Sequence, residues 1–126
     1  MSAASAVIFT ALMAGLAVFQ LALVAGAPIG HFAWGGQDRV LPRGKRIGSV
    51  TSLVLYALFS LVVLQRAELI AVIPWQAVVD VGSWVLVVYF ALGIIMNALS
   101  RSTPERWTMA PLCAVLTVLA AVVALG

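Results

Sequence analysis

Four stretches of about 20 residues run through this sequence without a single charged side chain, covering about residues 6–27, 47–65, 81–100 and 107–126. A helix of about 20 apolar residues is the length needed to cross a hydrocarbon core roughly 30 Å thick. All seven Lys/Arg and all four Asp/Glu fall between the stretches or at their edges. The chain is 64% apolar and only 9% charged, where a soluble domain is about 25% charged. A soluble fold of 126 residues has too much surface to hide that many apolar side chains. The expectation is an all-α integral membrane four-helix bundle forming one domain, residues 1–126.

The charges orient it. Arg39, Arg43, Lys45 and Arg46 lie between the first two spans, Arg101 and Arg106 between the last two, and Arg66 alone between the second and third. Basic residues concentrate in cytoplasmic loops. Loops one and three are therefore expected inside, with both termini outside, and so uneven a balance argues against insertion in both orientations. Trp34 and Trp107 beside the basic loops, and Trp75 and Trp84 towards the other end, fit two interfacial belts. A cleaved leader is the rival reading of the first span, with a small-residue run at Val24–Ala27. No basic residue precedes that span, it is long for such a leader, and Pro28 would follow the cut.

Helical periodicity sorts the few polar residues into faces. Ser49, Ser52, Tyr56 and Ser60 share one stripe of span two, and Gly82, Tyr89, Gly93, Asn97 and Ser100 share one of span three. Both are expected to point inward, making Ser52, Tyr56, Ser60, Tyr89 and Asn97 a candidate polar lining. Ala11, Gly15, Ala22 and Gly26 form a small-residue stripe on span one, expected to admit another helix of the same chain. Span four, with Pro111 in its first turn, reads as a lipid-facing or closing helix. Asp80 admits two readings: N-cap of a helix running from 81 to 100, which is preferred, or a residue inside a longer helix that starts at Pro74. On the first reading, residues 69–79 form an apolar outer loop.

The segment from Gly26 to Arg46 holds most of the remaining chemistry. Pro28 and Gly30 end the first helix, Gly35-Gly36 makes a turn, and Leu41-Pro42-Arg43-Gly44 has the composition of a β-turn, so a folded loop is expected. Asp38 and Arg39 are neighbours able to pair. His31, Trp34, Arg39, Arg43, Lys45 and Arg46 are candidates for contact with anionic headgroups or a protein partner. One His and one Cys, Cys113, supply neither a zinc set nor an internal disulfide. No cofactor or metal is expected. The net charge of +3 is explained by loop topology without nucleic acid.

The same loop resembles a group of short, uncharacterised, actinobacterial-type four-span membrane proteins. Its Gly-Ala-Pro-x-Gly, Ala-Trp-Gly-Gly and Leu-Pro segments, followed by an Arg, stand here as Gly26–Gly30, Ala33–Gly36, Leu41-Pro42 and Arg46. The likeness covers spans one and two. It implies a multi-pass protein of the bacterial cytoplasmic membrane and brings no activity with it.

Mechanism is constrained by what the spans lack. Proton-driven transporters carry ionisable groups inside the membrane, and the only ionisable group of uncertain depth is Asp80. Hydrolysis needs a base and a nucleophile held together, and no such pair is legible. The leading expectation is a non-enzymatic accessory or interaction subunit of a membrane complex. The alternatives are a homo-oligomeric channel or uniporter for a small solute, and a lipid-binding or lipid-modifying protein.

Overall fold

A computed structural model describes residues 2–126. It contains four long helices, α1 (Ser2–Val24), α2 (Arg43–Arg66), α3 (Gln76–Ala98) and α4 (Thr103–Leu125). Each packs against the next and α4 closes back onto α1, with the closest pairing between α3 and α4 and between α1 and α2. Only 11–22% of the apolar stretch of each helix is buried. Val18, Val54, Val85 and Val118 are among the many aliphatic side chains that face outward, each more than half exposed. Apolar surface of that extent on every helix is matched by lipid, not by water. The chain is a small multi-pass membrane protein.

The bundle has two unlike halves. At the end where the termini and the α2–α3 connection meet, Phe9, Met13, Val63, Leu86, Ala120 and Val123 form a continuous buried core. Phe59, Tyr89 and Phe90 stack edge to face beneath it, with ring centroids 5.1–5.9 Å apart, and Phe9 joins Phe90 at 5.7 Å. Such pairs add about 0.5–1.5 kcal/mol each beyond their burial. At the same end the Arg66 guanidinium donates to the Ala124 carbonyl at 2.9 Å and lies 3.5 Å from the Asp80 carboxylate. The half nearer the two basic loops is hollow.

The helix ends correct several expectations. Asp80 does not cap α3. The helix begins at Gln76, with Trp75 in the capping position, so Asp80 stands one turn inside. Its half-exposed carboxylate accepts from Gln76 Nε2 at 2.9 Å, and Ser83 donates its hydroxyl to the Asp80 carbonyl instead of bonding the side chain. The outer connection is shorter than expected, and Gln65 organises it by donating to the Ile73 carbonyl and accepting from the Val72 and Ile73 amides. Pro42 precedes the first residue of α2, so the anticipated β-turn is the opening turn of that helix. Likewise α4 starts at Thr103, with Pro104 in its first turn. Pro111 therefore lies in the helix interior, where it cannot donate to the carbonyl four residues earlier.

Two faces also differ from expectation. The buried face of α1 is Ser5, Ala6, Phe9, Met13, Gln20 and Leu23. Ala11 and Gly15 point away from the bundle, and a Cβ added at Gly15 would meet nothing within 4 Å. The large side chains won the interior because they fill it, which a small-residue stripe does not. Nor is α4 a peripheral helix: it packs on α1, α2, α3 and both turns of the first loop, with Ala110, Leu116, Ala120, Val123 and Ala124 buried.

The loop between α1 and α2 is folded, as its composition implies. Gly26, at φ +92°, ends α1, and the next amide, Ala27, donates back to the Ala22 carbonyl at 2.9 Å, an arrangement that favours glycine. A short 3-10 turn, Gly30–Phe32, brings the Gly30 amide to the Arg39 carbonyl at 2.8 Å. A second turn, Trp34–Gly36, is left-handed throughout, with φ of 53°, 78° and 72°.

Candidate functional site

The hollow half of the bundle holds a cleft of about 580 Å³ that is open along part of its length, within the range of small-molecule sites. Along α4 it runs from Glu105 to Leu116, about 16 Å at 1.5 Å per residue. Its walls are mainly apolar: Leu16 and Phe19 of α1, Phe90, Leu92 and Met96 of α3, and Met109, Leu112 and Leu116 of α4. The aromatic layer of Tyr89 and Phe90 lies towards the solid core. The first loop contributes Phe32, Ala33 and Trp34 at the opposite end.

Polar groups enter at defined places. Gln20 of α1 is 93% buried (7% exposed), and its Nε2 donates to the Tyr56 hydroxyl of α2 at 3.1 Å. Among the described residues, the Gln20 Oε1 has no hydrogen-bond partner. Asn97 donates to the Gly93 carbonyl at 2.8 Å and reaches the Cys113 sulfur of α4 at 3.5 Å. At Gly93 a Cβ would stand 3.0 Å from that sulfur, so glycine permits the close approach of α3 to α4. Glu105, 6% exposed, accepts from the Gly35 amide at 3.2 Å through Oε2. Its position in the first turn of α4 places the carboxylate where the helix dipole favours it. No Lys, Arg or His lines the cleft.

Loop and helix are clamped together at this end. Ser102 and Glu105 have the spacing of a capping box, and Ser102 stands at the N-cap of α4, yet no side-chain capping bond forms. Ser102 donates its hydroxyl to the His31 carbonyl while Glu105 takes the Gly35 amide. A Cβ at Gly36 would collide with the Ser102 side chain. The Trp34 indole crosses to α2, where Nε1 donates to the buried Ser49 hydroxyl at 3.2 Å and the ring lies 2.6 Å from where a Cβ at Gly48 would stand.

The residues anticipated as a polar lining separate into two sets. Tyr56, Tyr89 and Asn97 line the cleft; Ser52 and Ser60 do not. Their hydroxyls donate to the Gly48 and Tyr56 carbonyls of their own helix. Among the loop residues, Trp34 serves the bundle, and His31 bonds the Gly36 carbonyl through Nδ1 at 2.8 Å while its ring stays exposed. Lys45, not Arg39, is the ion-pair partner of Asp38. Arg46 donates to the Leu41 carbonyl at 2.7 Å. Arg39 and Arg43 are exposed and make no side-chain hydrogen bond or ion pair among the described residues.

Two site residues escaped the sequence reading. Gln20 is a carboxamide deep within an otherwise apolar span, and a polar group at that depth is itself a signal. Glu105 was signalled by the Ser-x-x-Glu spacing ahead of an apolar run. No family model, curated protein or solved structure matches this chain.

Proposed function

We propose that this protein binds a lipophilic small molecule inside the membrane, without catalysis, in the cleft between α1, α3 and α4. The observation that carries this reading is the cleft itself: a drug-sized, mainly apolar space with a few convergent polar groups, in the half of the bundle that its own core does not fill. That is the usual character of a small-molecule site. The solid core beyond Phe90 and the turned-back Ser52 and Ser60 hydroxyls favour a blind cleft over a channel. Positive charge in loops one and three supports a topology with those loops in the cytoplasm and both termini outside. On the loop resemblance described above, we assign the chain to the short actinobacterial-type four-span proteins of the bacterial cytoplasmic membrane.

The experiment is native mass spectrometry of the protein released from mild detergent, beside a Leu112→Trp variant that adds bulk to the cleft wall. The wild type is expected to retain a lipophilic adduct that the variant loses. Equal adducts on both, or none on either, would overturn the reading. An accessory-subunit role keeps one observation in its favour, the outward Ala11 and Gly15, where a helix from another protein has room to approach. A partner recovered stoichiometrically in mild detergent, and lost on Gly15→Leu substitution, would favour it.

A further inference from the structure

The chemistry of the cleft narrows the class of molecule it takes, an inference that rests on the binding function just proposed. The decisive group is Gln20. Its side chain is 93% buried (7% exposed) inside the lipid-spanning part of α1, its Nε2 is used on the Tyr56 hydroxyl, and its Oε1 is unpaired. Hydrocarbon supplies no water to satisfy such an atom. Leaving it bare costs about 1–3 kcal/mol, so the group is readily explained by a ligand that completes it.

Tyr56 complements it. Having accepted from Gln20, the phenol still has its own proton to donate, so the pair offers one acceptor and one donor side by side. Exchanging the oxygen and nitrogen of the carboxamide does not change this count: Tyr56 would then donate to Oε1, leaving Nε2 as the donor and the phenol oxygen as the acceptor. The matching group on a ligand both donates and accepts. A hydroxyl does both with one atom. A ketone, ester or ether only accepts.

Charge excludes the main competitors. No basic side chain lines the cleft and a carboxylate does, so an anionic headgroup would enter unpaired and beside a like charge. A cation would find Glu105 alone, whose Oε2 already takes the Gly35 amide beside the N-terminus of α4. The apolar walls, extending about 16 Å along α4, suit an elongated hydrocarbon body. We propose that the cleft binds a neutral, elongated alcohol drawn from the lipid phase, its hydroxyl accepting from the Tyr56 hydroxyl and donating to Gln20 Oε1, which the carboxamide must turn towards the ligand because that oxygen is shut away from the cleft in this structure.

The test uses Cys113, the only cysteine of the chain, which lies on the cleft wall. Its labelling by N-ethylmaleimide is followed in phosphatidylcholine nanodiscs with farnesol, farnesyl methyl ether, farnesyl phosphate or farnesylamine added in turn. Farnesol is expected to slow labelling most, and the ether to act about five- to tenfold more weakly, the worth of one neutral hydrogen bond. Gln20→Leu should weaken farnesol to the level of the ether while leaving the ether unchanged, which also shows that the variant retains the cleft. Tyr56→Phe removes the donor from which both ligands accept and should weaken the two alike, keeping the gap between them. Equal protection by alcohol and ether would overturn the hydroxyl assignment and leave binding in the cleft standing. Strongest protection by the phosphate or the amine would overturn the neutral class. No protection by any of the four would count against the binding function itself.

Discussion

Gly35 and Gly15 are both glycines, and the structure needs only one of them. Gly35 sits at φ +78° in a turn whose three residues are all left-handed, a conformation that costs other residues about 1–2 kcal/mol. Gly15 lies inside α1 with open space around it, where alanine is favoured by about 0.5–1 kcal/mol. Thermal unfolding in detergent should therefore show Gly35→Ala lowering the midpoint and Gly15→Ala raising it. Gly48 is demanding for a different reason, because the Trp34 ring occupies the place of its side chain. Gly48→Leu should expel that indole into a more polar setting and shift its emission to the red. The shift should vanish when the same change is made in a Trp34→Phe background. The glycine pair was legible in the sequence as a turn. Its left-handedness was not, because it depends on Trp34 being held across the bundle by Ser49.

At the scale of elements, the four helices were legible because about 20 uncharged apolar residues have one stable form in lipid, but their ends depend on who satisfies the backbone nearby. Asp80 looked like the best cap for α3 because aspartate is favoured there. Gln65, fifteen residues earlier in the chain, instead takes up the amides of Val72 and Ile73, and the helix starts at Gln76 with no side-chain cap. The N-terminus of α4 shows the same principle, since its capping residues are spent on the first loop. A hydrogen bond to a charged group contributes about 1.5–3 kcal/mol. Glu105→Ala should therefore speed hydrogen exchange at the Gly35 amide by at least about tenfold. The central amides of α1 and α2 should exchange as before. A uniform acceleration would mean that Glu105 supports the whole bundle and not this clamp.

The division of the whole molecule into a solid half and a hollow one could not be read from the sequence, because both halves are written in the same aliphatic and aromatic residues. The polar groups of the hollow half mark the difference, Gln20 together with Tyr56 and Asn97, each in a mainly apolar span. The division makes opposite demands on two leucines. Leu86, 3% exposed, belongs to the solid core, whereas Leu112, only partly buried, packs at the edge of that core and forms part of the cleft wall. Truncating Leu86 to Ala opens a cavity among close-packed neighbours. Because lipid makes the transfer part of the cost nearly cancel, the packing part remains, about 2 kcal/mol. Leu112→Ala only enlarges a space already present, so its cost should stay below about 1 kcal/mol. Enlargement reverses the logic: Leu86→Phe overpacks the core at about 1–3 kcal/mol, while Leu112→Phe extends into the cleft and is tolerated. Reversible unfolding of the four variants in mixed micelles measures all of these differences. If the two positions respond alike to both truncation and enlargement, the hollow half is closed in the folded protein, and the space assigned to a ligand is not there to be filled.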